Sequence, residues 1–200
     1  VDIDDIHRLT LNYKEVDSNQ LRNQNTSSST MKFSSQEYNK GEITETSGLL
    51  LVSNWTDDFV TEFSYTTKDQ ITSQQSPLGQ NLPSFQINNC GSQGIRCYLG
   101  PDIFRSANDL KTTTDYLKLK GTYYRDNHKL TFGYENKVWD IYNVFLEAQD
   151  GEYEFDGLAA YQAQTASSFS HNNSRDLTQA GAAAIFEYYL DSIYIQDEID

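Results

Sequence analysis

The residues in this sequence that could do chemistry are few and scattered. His7, His128 and His171 lie far apart, and neither a His-x-x-x-His pair nor a Gly-x-Ser-x-Gly elbow occurs. Glu152 and Glu154 would share one face of a short strand, where paired carboxylates could exchange protons. Many solvent-facing strands carry such pairs. We therefore predict that the chain is not an enzyme and has no catalytic, cofactor-binding or metal-binding residues.

The two cysteines, Cys90 and Cys97, lie close together with Gly91 and Gly94 between them. Glycine lets the backbone turn back sharply, so a disulfide closing this short loop is favoured over two free thiols. No second Cys or His pair stands nearby with the spacing of a zinc site. A disulfide predicts an oxidising compartment, such as the periplasm or the cell exterior.

The charge balance excludes some partners. The chain has 29 acidic and 15 basic residues, a formal net charge of −14 at pH 7. Binding to nucleic acid requires a basic face, as does docking on anionic cytoplasmic lipid, so we expect neither. The charge is typical of a solvated, repulsive surface. The acidic residues could also bind calcium, although no loop with EF-hand spacing is present.

The elements that must position these residues are strands, and the clearest pattern lies between residues 112 and 144. Apolar and polar side chains alternate on both sides of a polar turn at residues 125–128, which indicates an antiparallel hairpin. The apolar side chains on one face of this hairpin are Leu117, Leu119, Tyr123, Leu130, Phe132 and Tyr134. Each arm has the roughly 10 residues that a tilted strand needs to cross a bilayer, so this face could meet lipid.

The same alternation predicts an all-β fold, an antiparallel meander of about six long strands that forms a segment of a transmembrane β-barrel. The strands are predicted near residues 6–15, 44–53, 59–69, 112–124, 129–143 and 184–197. The long loops are predicted at residues 16–43, 70–111 and 144–183. Tight turns follow the second and fourth strands, and long loops follow the first, third and fifth. Outer-membrane barrels alternate short periplasmic turns with long outward loops, so we expect the long loops at one end.

Within the long loops, the sequence predicts only brief regular elements. Short extended pieces are expected at residues 31–33, 85–87, 97–99 and 152–155, helical turns within residues 102–110, and one short helix at residues 157–164 capped by Asp156. Residues 165–181 are polar and are expected to form a mobile loop. Loops rich in Tyr and Asn suit recognition, so we expect any ligand contact within residues 70–111 and 142–181.

The stretches that carry a family resemblance are SNWTDDFVTEFSYTTKD at residues 53–69, YLGPDIFRSANDLKTTTDYLKLKGTYYRDNHKLTFGYE at 98–135, WDIYNVFLEAQDGEYEFDGLAAYQAQTAS at 139–167 and SIYIQDEI at 192–199. Together they resemble the barrel region of TonB-dependent outer-membrane receptors, most closely the Oar-like, OmpA-related subgroup. The resemblance covers about residues 44–200. It implies a roughly 22-stranded barrel with a plug, in a Gram-negative outer membrane, that imports ligands with energy from TonB.

The sequence contains no TonB box and no plug domain, so we expect an internal segment of the barrel. The segment would form wall and extracellular loops, and its partners would be outer-membrane lipid, the rest of the parent barrel and an unidentified ligand at the loops. TonB would act only through other parts of the parent. An excised segment has open edges and an apolar face, and could self-associate. The alternative is a secreted or cell-surface soluble β-sheet binding module, an adhesin or carbohydrate-binding type, whose apolar face packs inside.

Overall fold

The computed structural model describes residues 1–23, 25–79, 81–91 and 94–199. In these residues the chain forms eleven strands and one α-helix. They are β1 (His7–Arg22), β2 (Thr30–Lys32), β3 (Tyr38–Thr56), β4 (Phe59–Gln75), β5 (Ser84–Ile87), β6 (Arg96–Leu99), β7 (Asn108–Arg125), β8 (His128–Phe145), β9 (Glu152–Phe155), α1 (Leu158–Gln162), β10 (Ser168–Ser170) and β11 (Ala184–Ile199). No helix in this part of the chain is long and apolar enough to span a membrane.

The six long strands form one antiparallel sheet in the order β1-β3-β4-β7-β8-β11. Tight turns join β3 to β4 and β7 to β8, and the three long connections leave the sheet at the opposite end. The turn between β7 and β8 is Asp126-Asn127, and Asp126 has a φ of 52°, a conformation that Asp and Asn tolerate in two-residue hairpins. The predicted all-β meander of six strands, with its long loops at one end, is confirmed.

The register of this sheet, here called the wall, places apolar side chains on one face. Residues directly opposite in antiparallel strands share a face, and Leu51, Phe63, Leu119, Tyr134 and Ile193 are consecutive partners across five strands. This row stays open to the surroundings, since Leu119 is 44% exposed and Ile193 is 86% exposed. The wall therefore presents an uncovered apolar face.

The opposite face of the wall is polar and charged. Lys120 Nζ lies 2.9 Å from a Glu62 carboxylate oxygen, and Lys118 Nζ lies 3.4 Å from Glu135. Both ion pairs join neighbouring strands. Alternation between an apolar face and a charged face is the pattern of barrel strands that separate lipid from a polar interior.

The wall strands reach farther toward the long connections than the sequence predicted. β1 extends to Arg22 and β3 begins at Tyr38, so the predicted loop 16–43 is wrong at both of its ends. β4 extends to Gln75 and β7 begins at Asn108, so the second predicted loop is wrong at its ends as well. These extensions consist mostly of polar residues, which show no apolar alternation, and backbone pairing across the ladder holds them in strands.

Candidate functional site

The three long connections do not remain irregular, because they assemble into a second sheet of order β10-β9-β5-β6-β2. The first connection supplies β2, the second supplies β5 and β6, and the third supplies β9 and β10. Parallel pairing joins β5 to β9 and β6 to β2, so strands from different connections hydrogen-bond to each other. We call this sheet and α1 the cap. In the third connection, the expected extended piece at residues 152–155 is β9 and the expected short helix contains α1, whereas the loop expected at residues 165–181 is wrong where it contains β10.

The cap has its own hydrophobic core because its short strands alternate. The sequence SFQI of β5 and EYEF of β9 place aromatic and aliphatic residues on one face and Gln or Glu on the other. Ile87, Cys90, Cys97 and Phe155 are buried in one cluster, with flanking apolar residues packed around them. This core lies in the connections, whereas the wall leaves most of its apolar side chains open.

A disulfide joins Cys90 to Cys97 in this core, with their Cα atoms 5.9 Å apart. It closes the loop between β5 and β6. Within that loop, Gly94 has a φ of 84°, a conformation that favours glycine, and its backbone N–H donates to Asn89 Oδ1 over 2.8 Å. The disulfide therefore closes a turn that also has its own hydrogen bond.

The two carboxylates that the sequence singled out, Glu152 and Glu154, lie on the polar face of β9. Glu154 accepts hydrogen bonds from Asn88 Nδ2 (2.6 Å), Ser168 Oγ (3.0 Å) and Gln86 Nε2 (3.1 Å), which lower the pKa of its carboxyl. Burial raises the pKa of Glu152, and the charge of Glu154 adds to this rise. Glu154 therefore links β9 to β5 and β10 as a hydrogen-bond acceptor.

Buried polar side chains fix the cap near the start of β7. Asp102 accepts a hydrogen bond from the Phe104 N–H (3.0 Å) at the start of a short 3-10 helix, within the residues where helical turns were predicted. Its carboxylate also lies 3.6 Å from Lys32 Nζ and 3.9 Å from Arg105 Nε. Gln36 is buried and donates to two backbone carbonyl oxygens just before Asp102 (2.8 and 3.0 Å). The first and second connections are thereby joined.

A pocket of about 480 Å³ opens on the apolar face of the cap. Its lining residues are Phe85, Tyr153, Phe155, Tyr161, Gln162, Gln164 and Ala166. The rings of Phe85 and Tyr153 stack with centroids 6.0 Å apart, and Tyr161 meets Phe155 edge-on at 5.2 Å. All seven residues fall within the two ranges, 70–111 and 142–181, where ligand contacts were expected. The sequence did not single out these seven, although the alternation in EYEF was a signal for two of them.

α1 forms one side of the pocket, and the ends of this helix differ from the prediction. The helix begins after Gly157, whose φ of 100° favours glycine, so the predicted cap at Asp156 is wrong. The helix ends at Gln162, and Gln164 has a φ of 55°, a left-handed conformation. This reversal leads the chain past the pocket and into β10.

The three histidines lie in separate environments. His7 Nδ1 is 2.8 Å from Ser53 Oγ, His128 Nδ1 is 2.8 Å from an Asp197 carboxylate oxygen, and His171 stacks on the Phe169 ring. Among the described residues, no three His, Cys, Asp or Glu side chains converge as they would around a metal ion.

Comparisons with known proteins show what this arrangement resembles. No family model and no curated protein matches the chain. The crystal structure of the outer membrane transporter YddB from Escherichia coli matches 99% of the chain with a TM-score of 0.53 and 13% sequence identity. The match covers 24% of that transporter's length. The likeness is one of fold, that of a segment of an outer-membrane transporter, and the TonB-dependent, Oar-like and OmpA-related assignment stays a prediction.

Proposed function

We propose that the chain forms part of the barrel wall and the extracellular loops of a TonB-dependent receptor of a Gram-negative outer membrane, within the Oar-like, OmpA-related subgroup. The observation that carries the proposal is the register of the wall, which lines up apolar side chains across the strands on one uncovered face. The likeness of the fold to an outer-membrane transporter supports it.

Lipid is the partner that best fits the uncovered face. Ile193 and Ile195 are 86% and 79% exposed, and Leu11 is 69% exposed. Exposing these side chains to water is unfavourable by about 25 cal/mol for every Å² of apolar surface. Contact with hydrocarbon instead of water removes this unfavourable free energy. The charged pairs lie on the opposite face, where a barrel has its polar interior.

The edges of the wall support a place inside a larger barrel. Among the described strands, β1 pairs only with β3 and β11 only with β8. Val1 and Ile3 hydrogen-bond to the outer side of β1 at His7 and Leu9, so the rest of that side and one side of β11 stay open. Open edges of this length favour pairing with further strands. We propose that the rest of the parent barrel supplies those strands, and that an excised segment would self-associate through them.

The cap gives the segment its second role. In our proposal the tight turns face the periplasm and the cap faces the exterior, where it contacts the transported ligand. TonB acts only through other parts of the parent. The proposal includes no catalysis, no cofactor and no nucleic-acid partner.

Labelling of single cysteines on intact Gram-negative cells tests the orientation. Leu177 is 75% exposed in the third connection, and Asp126 lies in the tight turn between β7 and β8. A membrane-impermeant maleimide should label Leu177→Cys on intact cells, and Asp126→Cys only after the outer membrane is permeabilised. The unmodified protein, whose cysteines are paired, gives the background. Labelling of both sites on intact cells, or absence of the protein from the outer-membrane fraction, would contradict the proposal.

The soluble binding module makes a different prediction for the purified chain. Such a module would remain monomeric without detergent, because its apolar face would be packed inside. The barrel segment should instead need detergent to remain monomeric, since its apolar row is uncovered and most of each sheet edge is open. Size-exclusion chromatography with light scattering, with and without detergent, separates the two.

A further inference from the structure

We propose that the pocket of the cap binds a neutral sugar ring of an external glycan. This inference rests on the proposed function, in which the cap faces the cell exterior. It names the class of ligand that the cap would meet there.

The walls of the pocket suit the flat C–H face of a sugar. Phe85, Tyr153 and Tyr161 provide aromatic surfaces in parallel and edge-on orientations, and the buried Phe155 ring packs edge-on against Tyr161. Aromatic rings pack well against polarised C–H groups because their faces carry partial negative charge. The volume of about 480 Å³ lies within the range of roughly 300–1,000 Å³ that is typical of small-molecule sites.

The absence of charge in the pocket selects a neutral ligand. None of the residues that line it is acidic or basic, although the chain as a whole carries a net charge of −14. A charged ligand would lose its water at this site without gaining an opposite charge, which is unfavourable. Phosphorylated or sulfated sugars and carboxylate ligands are therefore disfavoured.

The polar groups at the pocket are free to bind hydroxyls. In the part of the chain that the structure describes, the hydroxyls of Tyr153 and Tyr161 and the side-chain amides of Gln162 and Gln164 make no hydrogen bond. Each amide offers two donor hydrogens and an acceptor oxygen, and each hydroxyl offers both functions. Such groups match the ring hydroxyls of a hexose, which also donate and accept.

Gln164 combines a left-handed backbone conformation with a place in the lining of the pocket. The residue follows the end of α1 with a φ of 55°, the position where helices most often have glycine. A residue with a Cβ is strained there. The chain nevertheless has a glutamine at this position, and this residue lines the pocket. Because Ala148 and Leu177 have similar φ values of 53° and 59°, the place of Gln164 in the pocket lining, and not its backbone, carries the inference.

Isothermal titration of the full protein in detergent tests the inference, with maltohexaose, cellohexaose and β-1,3-glucan hexaose as neutral probes. We expect at least one probe to bind at millimolar concentration or below. Tyr161→Ala should weaken that binding by about tenfold, since it removes an aromatic surface. Gln164→Gly should also weaken binding, yet raise or preserve the melting temperature because it relieves the left-handed strain. Tyr124→Ala, at the tight-turn end of the wall, serves as the matched control and should not change binding.

Other outcomes would overturn the inference. If none of the three hexaoses binds, or if Tyr161→Ala and Gln164→Gly bind as well as the unmodified protein, the pocket is not a sugar site. Preferential binding of an anionic probe, such as a hexuronate oligomer, would overturn the choice of a neutral ligand. Should Tyr161→Ala fail to fold, Gln164→Gly still decides the question. Cysteine labelling tests the orientation separately, so a failure of glycan binding leaves the proposed function standing.

Discussion

Leu50 and Leu51 are adjacent residues of β3 that point to opposite faces of the wall, so they form a matched pair for testing which face meets lipid. Leu51 pairs across the sheet with Leu9 and Phe63, whereas Leu50 pairs with Ser64 on the polar face. We expect Leu51→Arg to destabilise the membrane-inserted protein much more than Leu50→Arg. The two variants carry the same substitution in the same strand.

The size of the difference follows from the depth of Leu51. It stands five residues before Thr56, the last residue of β3 at the tight-turn end. At ~3.3 Å per residue and a strand tilt of ~40°, this places it about 13 Å from that end, near the middle of an apolar band ~25 Å tall. Arg at that depth costs about 2–4 kcal/mol on the lipid face, whereas Leu50→Arg loses packing worth about 1 kcal/mol. The expected difference of about 2 kcal/mol is roughly thirtyfold in the folding equilibrium.

Equilibrium unfolding in guanidinium chloride measures this difference when the protein is reconstituted in phosphatidylcholine vesicles. The fluorescence of Trp55 and Trp139 reports the transition, and the free energies of unfolding of the two variants are compared. Equal losses in the two variants would refute the assignment of the lipid face. A larger loss for Leu50→Arg would reverse it.

The remaining predictions concern the stability of the cap. Replacing Cys90 and Cys97 by serine should lower the free energy of unfolding of the cap by about 2 kcal/mol, because the short loop is no longer closed. Hydrogen exchange should become faster in β5 and β6 and stay the same in β4. Unchanged exchange in the cap would contradict this prediction. At pH 7, Glu152→Gln should slow hydrogen exchange in β9, because the raised pKa of Glu152 means that its charged form is unfavourable in the fold. Glu154→Gln should speed exchange there, because the lowered pKa of Glu154 means that its charged form is favourable. The same direction of change in both variants would show that these environments are misassigned.

The pH dependence of the two carboxylates follows from linkage. Burial raises the folded-state pKa of Glu152, so its favourable contribution is present below its unfolded pKa and is lost as pH rises through the raised folded value. Hydrogen bonds from Asn88, Ser168 and Gln86 lower the pKa of Glu154. Its contribution is therefore present above the unfolded pKa and is lost as pH falls through the lowered value. Hydrogen exchange of the cap, followed from acidic to neutral pH in each variant, resolves the two effects.

The wall was predictable from the sequence wherever apolar residues alternate, because one face must avoid water. Leu117, Leu119, Leu130 and Phe132 give that signal directly. The ends of the strands were not predictable, since their polar residues are held by backbone pairing that extends as far as Arg22. Where both paired strands are polar, the side chains show no apolar alternation, so the sequence does not indicate how far the hydrogen-bonded ladder extends.

The pairing of strands within the cap was not predictable from the sequence. The strand segments near Phe85 and Tyr153 were expected as isolated pieces, but their direct pairing joins positions 68 residues apart. Strands of three or four residues are too short for their side-chain pattern to identify the distant strand with which they pair. The ligand region was therefore predicted as two loops, and the pocket between them depends on a pairing that only the folded structure reveals.

The parallel pairing of β5 with β9 also orders events during biogenesis. The two strands are separated along the chain by β6, β7 and β8, so β5 stays without this partner until the residues beyond the β7–β8 hairpin are present. Pairing β5 with β9 closes a long loop, which lowers the conformational entropy of the chain. This entropy loss is smaller when the β7–β8 hairpin has already formed, because the hairpin shortens the flexible part of that loop. We therefore expect the hairpins of the wall to form before the cap, and a chain that stops before residue 152 should leave β5 without its β9 partner and its open edge prone to association.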